Sequence, residues 1–467
     1  MPGCERNRCL FGTDGVRDVA NRGLMTPEMA LRLGRSYVLF LIENGISRPS
    51  VAVGRDTRRS GPMIESALIS GLTSAGADVS ELGIIPTPGV SFAVSRLSCS
   101  GGAVVSASHN SSEYNGIKFI GPDGCKLSDD SEAEIEDYLG DILLDEWRPT
   151  GPSVGCVLSR HSLCKEYADW IVNTCCINVD REMSVVVDCA NGAASPVAAE
   201  LFRRCFRNPV VIEDNPDGTN INEQCGVMHT NNLISQVVAG GHDLGMALDG
   251  DADRVLFVDR KGRLIDGDIM LWIIGKWLSR ENRIGGGVVA SVMSNKALEE
   301  HLHEEGVPVT RCPVGDRYVL ETMRTINARL GGEQSGHVIA SEYFATGDGL
   351  CSGLLFLTAC RSLREDTETL VDRFGRYPQV LRNFHSLDKD EFLKRESVEE
   401  AVNKASRDLG EFGRIVVRPS GTEPLVRILV EAKDDQMLRS VSESLFETIR
   451  KEESGSRPDR SAEVKYL

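Results

Sequence analysis

The sequence has no hydrophobic run that approaches the roughly 18 residues of a membrane-spanning helix. Its first residues also lack the apolar segment of a secretory signal, so we expect no such signal. Basic side chains are outnumbered by acidic ones, which gives a formal net charge of −17. This charge argues against nucleic acid or an anionic membrane surface as a partner. The sequence therefore predicts a cytoplasmic protein that meets any anionic ligand with a local cluster of Lys and Arg.

No two of the 14 cysteines form a CxxC pair, which argues against a zinc site. Several cysteines lie in apolar surroundings, as Cys189 does, where a thiol serves as a small core residue. We therefore expect reduced thiols, as in a cytoplasm. A GxxxxGK[ST] loop is absent as well, so phosphate must be bound in some other way.

Three segments repeat one pattern: an apolar strand, a helix, a stop at small residues and a second strand. This pattern predicts βαβ units with parallel strands, and therefore three related α/β domains with mixed sheets. At 467 residues, the chain is long enough for about three or four domains. The three units are Ser50–Gly54, Ser60–Ala75 and Asp78–Leu82; Ser184–Asp188, Ser195–Phe206 and Pro209–Ile212; and Gly287–Ser291, Asn295–Glu305 and Val307–Thr310.

A smaller α+β domain is predicted after about Val371. We interpret the polar, proline-containing segment 372–382 as a connection. A helix at 397–409, strands at 413–418 and 425–431, and a helix at 436–451 follow it. The predicted domains are 1–155, 156–258, 259–370 and 371–467.

A candidate nucleophile follows the short apolar strand Ala103–Val105. The strand ends in Ser106-Ala-Ser-His-Asn110, and the ends of such strands often carry the reactive groups of α/β proteins. Ser108 is the candidate, with His109 beside it. Alone, a Ser-His pair is more often an ordinary loop.

A candidate metal site lies between two strand-like runs. Asp249, Asp251 and Asp253 would repel one another if crowded together, and a hard divalent cation such as Mg²⁺ would relieve that repulsion. An EF-hand is excluded, because Arg254 and Arg260 stand where its Gly and Glu are required. The alternative is a solvated acidic turn.

Four further segments carry polar groups suited to a sugar phosphate. Arg418-Pro-Ser-Gly-Thr422, with Arg427 beyond it, offers hydroxyls, backbone amides and guanidiniums for a phosphate. Gly331 to His337 and Val314 to Arg317 are Gly-rich loops whose side chains suit sugar hydroxyls, or are plain polar loops. Lys118 lies in an apolar run, where burial would lower its pKa toward a proton-transfer role; an edge-strand charge is the alternative.

Together these segments resemble the α-D-phosphohexomutase superfamily, and within it the bacterial members that act on glucosamine phosphates. The resemblance spans nearly the whole chain, in family order. The matching motifs are FGTDGVR (Phe11–Arg17), SASHN (Ser106–Asn110), NGIKF (Asn115–Phe119), DGDADR (Asp249–Arg254), GEQSGH (Gly332–His337) and RPSGTEP (Arg418–Pro424).

The resemblance implies four domains around a central cleft and assigns a role to each motif. Ser108 becomes a phosphoserine that, together with Asp249, Asp251 and Asp253, holds one Mg²⁺ per subunit. The remaining implied roles are proton transfer near the reacting hydroxyl by Arg17, Lys118, His109 and His337; sugar binding by Glu333, Ser335, Gly315, Asp316 and Arg317; and binding of the non-reacting phosphate by Arg418, Ser420, Gly421, Thr422 and Arg427.

The implied reaction interconverts glucosamine 6-phosphate and glucosamine 1-phosphate through the 1,6-bisphosphate, and so supplies UDP-N-acetylglucosamine for cell-wall synthesis. A hexose 1,6-bisphosphate or another phosphoryl donor would activate the enzyme, and the family suggests a homodimer. Gln334 is the main ground for the amino sugar, because relatives that act on mannose or glucose phosphates often carry Met there. A phosphomannomutase/phosphoglucomutase of broader specificity remains the alternative.

Two readings from other classes stay open. A haloacid-dehalogenase-type phosphatase would use an aspartate of the Asp249 group as its nucleophile. A non-catalytic sugar-phosphate sensor would need only the binding residues. Three positions depart from the family. Ser111 replaces a usual Pro, which predicts a less restrained loop, and Asp18 replaces a usual Gly, which predicts added negative charge near the phosphate. Thr230 stands where Pro is common.

Overall fold

The computed structural model describes residues 10–12, 14–141, 143–386, 388–419, 425–451 and 465–466. These residues fall into two units. The first comprises Met1–Ser291 and Val307–Val371, and the second comprises Val292–Gly306 and Asp372–Leu467. Within the described ranges, no helix combines the length and apolarity that crossing a membrane requires.

The first sheet contains the strand that leads to Ser108. Its order is β1-β5-β4-β2-β3-β6, with β2 parallel to both β3 and β4, and β5 antiparallel to β4. The strands are β1 (Val16–Val19), β2 (Ser50–Arg55), β3 (Asp78–Ile84), β4 (Gly101–Val105), β5 (Tyr114–Ile120) and β6 (Val157–Ser159). The accompanying helices are α1 (Pro27–Glu43), α2 (Gly61–Ser74), α3 (Thr87–Leu97), α4 (Asp129–Leu139) and α5 (Leu143–Glu146).

The second sheet carries the aspartate loop and has the order β11-β10-β9-β7-β8. Strand β7 is parallel to β8 and β9, and β10 is antiparallel to β9. Its elements are α6 (Leu163–Cys175), β7 (Val185–Asp188), α7 (Ser195–Cys205), β8 (Val210–Ile212), α8 (Asn231–Gly240), β9 (Leu244–Leu248), β10 (Val255–Asp259) and β11 (Leu264–Ile265).

The third sheet, of order β13-β12-β14-β15, completes the first unit. Strand β12 is parallel to β13 and β14, and β15 is antiparallel to β14. The elements of this stretch of chain are α9 (Gly267–Arg280), β12 (Val288–Ser291), α10 (Lys296–Glu304), β13 (Val309–Cys312), α11 (Asp316–Ile326), β14 (Leu330–Gly332), β15 (Val338–Ala340), α12 (Gly349–Leu363) and α13 (Thr367–Phe374).

The second unit is built on an antiparallel sheet of order β17-β18-β16-β19. Helix α10 belongs to this unit, where Asn295 bonds to the backbone of Tyr377 and the Lys296 amide donates to Glu431 at 3.0 Å. The remaining elements are β16 (Gln379–His385), α14 (Lys389–Leu393), α15 (Glu396–Leu409), β17 (Gly413–Pro419), β18 (Leu425–Ala432), α16 (Asp435–Arg450) and β19 (Lys465–Tyr466).

The structure confirms the three predicted βαβ patterns and the smaller C-terminal domain. In each pattern the two predicted strands pair in parallel, and the predicted helix lies between them in the chain. The interpretation of 372–382 as a connection is wrong in part, because strand β16 begins at Gln379. The buried side chains of Val380 and Phe384 give β16 a core-facing side, which the polar residues around them conceal in the sequence.

The expectation of reduced cysteines is wrong at one pair. Cys175 at the end of α6 and Cys351 in the first turn of α12 form a disulfide, with Cα atoms 5.7 Å apart. The packing of α6 against α12 brings together these two residues, which lie far apart in the sequence. Ten other cysteines in the described ranges are free thiols.

Candidate active site

The Ser108 loop and the aspartate loop meet where their strands end. Strand β4 leads into Ser106–Asn110, and strand β9 leads into Asp249–Asp253. The hydroxyl of Ser108 donates to Asp249 Oδ2 at 2.8 Å, and both side chains are fully buried. Two motifs from different sheets thus form one site at the carboxyl ends of parallel strands.

Ser108 is held in an unusual backbone conformation. Its φ of +49° lies in the left-handed region, which a serine seldom adopts and which often marks a functional site. The Ser108 amide donates to Ser106 Oγ at 2.9 Å, and the Ser106 hydroxyl donates in turn to Asp56 Oδ2 at 2.7 Å. This chain of bonds ties the start of the loop to the residue that follows β2.

The three aspartates form a group that fits a divalent cation. One oxygen from each of Asp249, Asp251 and Asp253 lies within 4.8 Å of the others, and all three side chains are buried. Oδ1 of Asp251 and Oδ1 of Asp253 have no hydrogen-bond partner among the described residues. Burial and the other two carboxylates raise the pKa of Asp249 well above its ordinary value. A hard cation would take up these oxygens and relieve the repulsion, so the group can hold a metal ion.

Lys118 lies beside the aspartates in the interior of the first sheet. Its Nζ is 2.9 Å from Asp14 Oδ2, 2.9 Å from Asp251 Oδ2 and 3.9 Å from Asp253 Oδ2. Burial lowers the pKa of the Lys118 amine, as its position in an apolar run predicts. The alternative of an edge-strand charge is wrong, because β5 is paired on both sides, with β1 and β4.

Asp14 links three basic side chains around the site. Arg17 and Lys126 both pair with it, and Lys126 Nζ also lies 2.5 Å from Asp316 Oδ2. The Arg17 guanidinium is in addition 3.4 Å from Asn110 Oδ1, in the loop that carries Ser108. Arg17, the basic residue at the end of the first motif, therefore lies against the loop that carries Ser108.

One candidate histidine lies beside Ser108 and the other beside Asp253. His109 Nδ1 is 3.4 Å from Ser108 Oγ, and burial lowers the pKa of His109 to about 4, so its ring is neutral near pH 7. His337 is buried, with Nδ1 3.7 Å from Asp253 Oδ2 and Nε2 3.7 Å from Asp316 Oδ2. A proton-transfer role for either ring stays a prediction.

The two candidate sugar loops meet at the end of β14. Glu333 Oε1 accepts a 3.1 Å hydrogen bond from the backbone amide of Gly315. Gly315 has a φ of +133° and is the N-cap residue of α11. Ser335 is exposed, whereas Arg317 is buried and pairs with Asp129 and Glu132 at the start of α4. Asp316, the first residue of α11, instead pairs with Lys126 near the carboxylates.

The candidate phosphate site lies in the second unit and is only partly described. Ser420, Gly421 and Thr422 lie outside the described residues. Arg418 on β17 and Arg427 on β18 are direct cross-strand partners, and both are half-buried. Like charges placed directly opposite each other repel, so this arrangement favours an anion such as phosphate.

Sequence reasoning missed several residues that support the site. Thr87, at the start of α3, donates its hydroxyl to Asp251 Oδ2 at 2.6 Å and its amide to the Asp251 carbonyl at 3.0 Å. Arg254 donates its amide to Asp249 Oδ1 at 3.1 Å. Asp56 and Arg58 also escaped notice, although a charged cluster directly after strand β2 was a usable signal.

The aspartate loop approaches Ser108 so closely that Gly250 has no room for a side chain. A Cβ on Gly250 would lie 2.6 Å from the Ser108 carbonyl oxygen and 2.8 Å from Asn222 Nδ2. We expect Gly250→Ala to lower kcat by about 10- to 100-fold, since displacing a reacting group by about 1 Å has effects of this size. Gly140→Ala is the control, because a Cβ on Gly140 would lie 3.9 Å from the nearest atom and therefore has room. Equal kcat values for the two variants would contradict the close approach.

Comparisons with known proteins cover almost the whole chain. Models of the phosphoglucomutase/phosphomannomutase family match in order: alpha/beta/alpha domain I at 8–144, domain II at 165–262, domain III at 266–377 and the C-terminal domain at 383–448. The phosphoglucosamine mutase of Desulforamulus reducens is 43% identical over 442 residues, which cover 94% of this chain and 99% of that protein. That of Syntrophomonas wolfei is 44% identical over 446 residues, with coverages of 94% and 98%.

Solved structures show the same fold. A phosphoglucomutase/phosphomannomutase family protein from Burkholderia thailandensis has a TM-score of 0.79 at 24% identity, covering 97% of this chain and 98% of its own. The N-acetylphosphoglucosamine mutase of Aspergillus fumigatus, in complex with GlcNAc-6P and magnesium, has a TM-score of 0.66 at 16% identity and 96% coverage of each chain. Four domain models match in sequence order, and the Ser108 and aspartate loops meet as the shared motifs require. This chain therefore belongs to the phosphoglucomutase/phosphomannomutase family of α-D-phosphohexomutases.

Proposed function

We propose that this chain interconverts glucosamine 6-phosphate and glucosamine 1-phosphate through a phosphoserine at Ser108 and a glucosamine 1,6-bisphosphate intermediate. The observation that carries the proposal is the contact of Ser108 Oγ with Asp249 inside a buried group of three carboxylates, with Lys118 beside it. Phosphoryl transfer depends on positioning and charge neutralisation, and this arrangement supplies both.

In the first half of the proposed reaction, a sugar hydroxyl attacks the phosphoserine. The bond between Ser108 Oγ and phosphorus breaks as the bond between the sugar oxygen and phosphorus forms. Lys118, whose amine burial has made easier to deprotonate, accepts the hydroxyl proton. In the second half the other phosphoryl group of the bisphosphate returns to Ser108, and Lys118 returns the proton to the sugar oxygen that leaves.

The three aspartates are proposed to hold Mg²⁺, as ions of this kind prefer a few carboxylates and leave room for phosphate oxygens. When bound, the ion would neutralise charge on the phosphoryl group and on the serine oxygen. Arg17 and Lys126 add positive charge next to Asp14, at the edge of the same site. His109 and His337 are proposed as further proton-transfer groups.

The remaining assignments extend the same proposal to the substrate. Glu333, Ser335 and the loop Gly315–Arg317 bind the sugar, and Arg418 and Arg427, with the turn 420–422 between their strands, bind the phosphate that is not reacting. A hexose 1,6-bisphosphate restores the phosphoserine when it is lost. The predicted domain boundaries, 1–155, 156–258, 259–370 and 371–467, are part of this proposal.

The amino sugar is favoured by the relatives named phosphoglucosamine mutase, which share about two residues in five with this chain over nearly its full length. The test compares kcat/KM on glucosamine, glucose and mannose 6-phosphates. We expect the glucosamine phosphate to be the best substrate. A larger kcat/KM on glucose or mannose phosphate would instead establish a phosphomannomutase/phosphoglucomutase of broader specificity.

Gln334 offers a direct test of substrate choice. Its side chain is half-buried beside Glu333, and its carbonyl accepts from the Gly267 amide at 3.1 Å. We expect Gln334→Met to lower kcat/KM for glucosamine 6-phosphate relative to glucose 6-phosphate by about tenfold, the effect of one lost polar contact. The backbone bond to Gly267 stays, so the unfolding temperature should not change. An unchanged ratio of the two kcat/KM values would remove Gln334 from the specificity argument.

A further inference from the structure

Arg58, which has no assigned role so far, binds the main chain of the phosphoserine loop, defined here as Ser108–Ser111. Arg58 is fully buried, and its Nη2 donates to the carbonyl oxygens of Ser108 at 3.0 Å and Asn110 at 2.8 Å. Its Nη1 donates to the carbonyl of Ser111. Arg58 is oriented by Asp56, whose Oδ2 accepts from Nε at 2.9 Å. One planar cation therefore binds three of the loop's carbonyls while its Nε pairs with Asp56, an arrangement that suits the rigid fork of an arginine.

A second residue binds two of the same carbonyls from the second sheet's domain. Asn222 Nδ2 lies 2.8 Å from the Ser108 oxygen and 2.9 Å from the Asn110 oxygen. Asn222 has a φ of +58°, which asparagine tolerates, and its backbone amide donates to the Ala190 carbonyl at 2.9 Å. A carbonyl oxygen has two acceptor positions, so Arg58 and Asn222 together fill both positions on each oxygen.

The hydrogen bonds from Arg58 also involve Ser111, the residue that replaces a usual Pro. The Ser at position 111 predicts a loosely restrained loop, yet the Ser111 carbonyl is bound by Arg58 and also accepts from the Tyr114 amide at 3.2 Å. Hydrogen bonds thus restrain the loop at Ser111, and whether it is less restrained than a loop with Pro at this position stays a prediction. The left-handed φ of Ser108, which a serine would otherwise leave, is maintained by the bonds to its carbonyl and amide.

We propose that Arg58 and Asn222 are positioning residues for phosphoryl transfer, holding Ser108 so that its phosphoryl group faces the sugar rather than water. Neither residue contacts Ser108 Oγ or the three aspartate side chains in the bonds described above, so both act through the loop's backbone. The inference rests on the proposed function. It predicts that a loosened loop transfers phosphoryl to the sugar more slowly and loses it to water more often.

Two substitutions test whether Arg58 and Asn222 hold the loop in place. Arg58→Lys keeps a positive charge against Asp56 but cannot reach all three carbonyls. Asn222→Gly removes the amide and keeps the left-handed backbone accessible. The controls are Arg59→Lys, on the exposed neighbouring arginine, and Asn208→Gly, on an exposed residue in a bend.

The measurements are kcat and KM for glucosamine 6-phosphate, the hydrolysis rate of the isolated phosphoenzyme, and thermal unfolding. In each test variant we expect kcat to fall by about 10- to 100-fold, KM to change by less than about threefold, and phosphoenzyme hydrolysis to accelerate by about tenfold. In the double variant, the loss in kcat should exceed the product of the single losses, because either residue alone still holds the Ser108 and Asn110 carbonyls. The controls should match the wild type.

The outcome separates this inference from the proposed function. If the wild type forms a phosphoserine but Asn222→Gly and Arg58→Lys hydrolyse it at the wild-type rate with unchanged kcat, the positioning role is overturned. A decrease in kcat that only matches the fraction of unfolded protein would overturn it as well. If the Arg58 variant does not fold, Asn222→Gly still provides the test. If the wild type forms no phosphoserine at all, the proposed function itself fails.

Discussion

Replacing Ser108 with Ala is expected to lower kcat for the interconversion of glucosamine phosphates by about 10⁴-fold or more, the effect of removing the nucleophile from a covalent mechanism. Ser108 is fully buried, and its hydroxyl donates to Asp249 at 2.8 Å within the group of three carboxylates. Steady-state rates, assayed with a hexose 1,6-bisphosphate present, measure the loss.

The control is Ser112→Ala, four residues further along the same segment. Ser112 is half-buried and lies beyond the loop carbonyls that Arg58 binds. We expect its kcat to stay within about twofold of the wild type, as for most substitutions away from a site. Substantial turnover by Ser108→Ala would show that another group carries the phosphoryl.

Replacing Lys118 with Met is expected to lower kcat by about 10³-fold, within the range that general acid–base catalysis contributes. The amine is buried between Asp14 and Asp251, at 2.9 Å from each, and burial lowers its pKa. Without it, the sugar hydroxyl would lose its proposed proton acceptor, and the carboxylates would lose the positive charge of the protonated amine. Steady-state kinetics and thermal unfolding should be measured together, because breaking a buried ion pair also destabilises the fold.

Lys118→Arg separates the two roles of the amine. Arginine keeps the positive charge but does not give up its proton in a protein. We therefore expect Lys118→Arg to unfold at a temperature closer to the wild type than Lys118→Met does, while kcat stays low. Lys165→Met, on an exposed lysine, is the control for the loss of a charge. A kcat near the wild-type value in Lys118→Arg would limit Lys118 to an electrostatic role.

Much of this arrangement was predictable from local pattern. The three βαβ units follow from apolar runs and helical spacing, and each forms as predicted. The motifs around Ser108 and Asp249 could be expected at one edge of the sheets, because both follow buried strands of parallel sheets. What the pattern could not supply was which groups touch, since that depends on how residues far apart in sequence are packed.

Lys118 and Arg58 illustrate this limit. Whether Lys118 is an edge charge or a buried amine depends on β5 lying between β1 and β4, and the order of strands is not a local property. Arg58 reaches carbonyls about 50 residues along the chain, and Asn222 reaches the same carbonyls from still further away. The disulfide between Cys175 and Cys351 likewise depends on the packing of two distant helices.

The most direct test of a phosphoserine mutase follows the phosphoryl group itself. The protein is labelled with a radiolabelled hexose 1,6-bisphosphate, freed of donor and then mixed with unlabelled glucosamine 6-phosphate. The account predicts that wild-type protein carries the label on Ser108, that Ser108→Ala carries none, and that the label passes from the protein to the amino sugar. Label retained by Ser108→Ala in a form that hydroxylamine removes, or release of the label from the wild type only as inorganic phosphate, would contradict it.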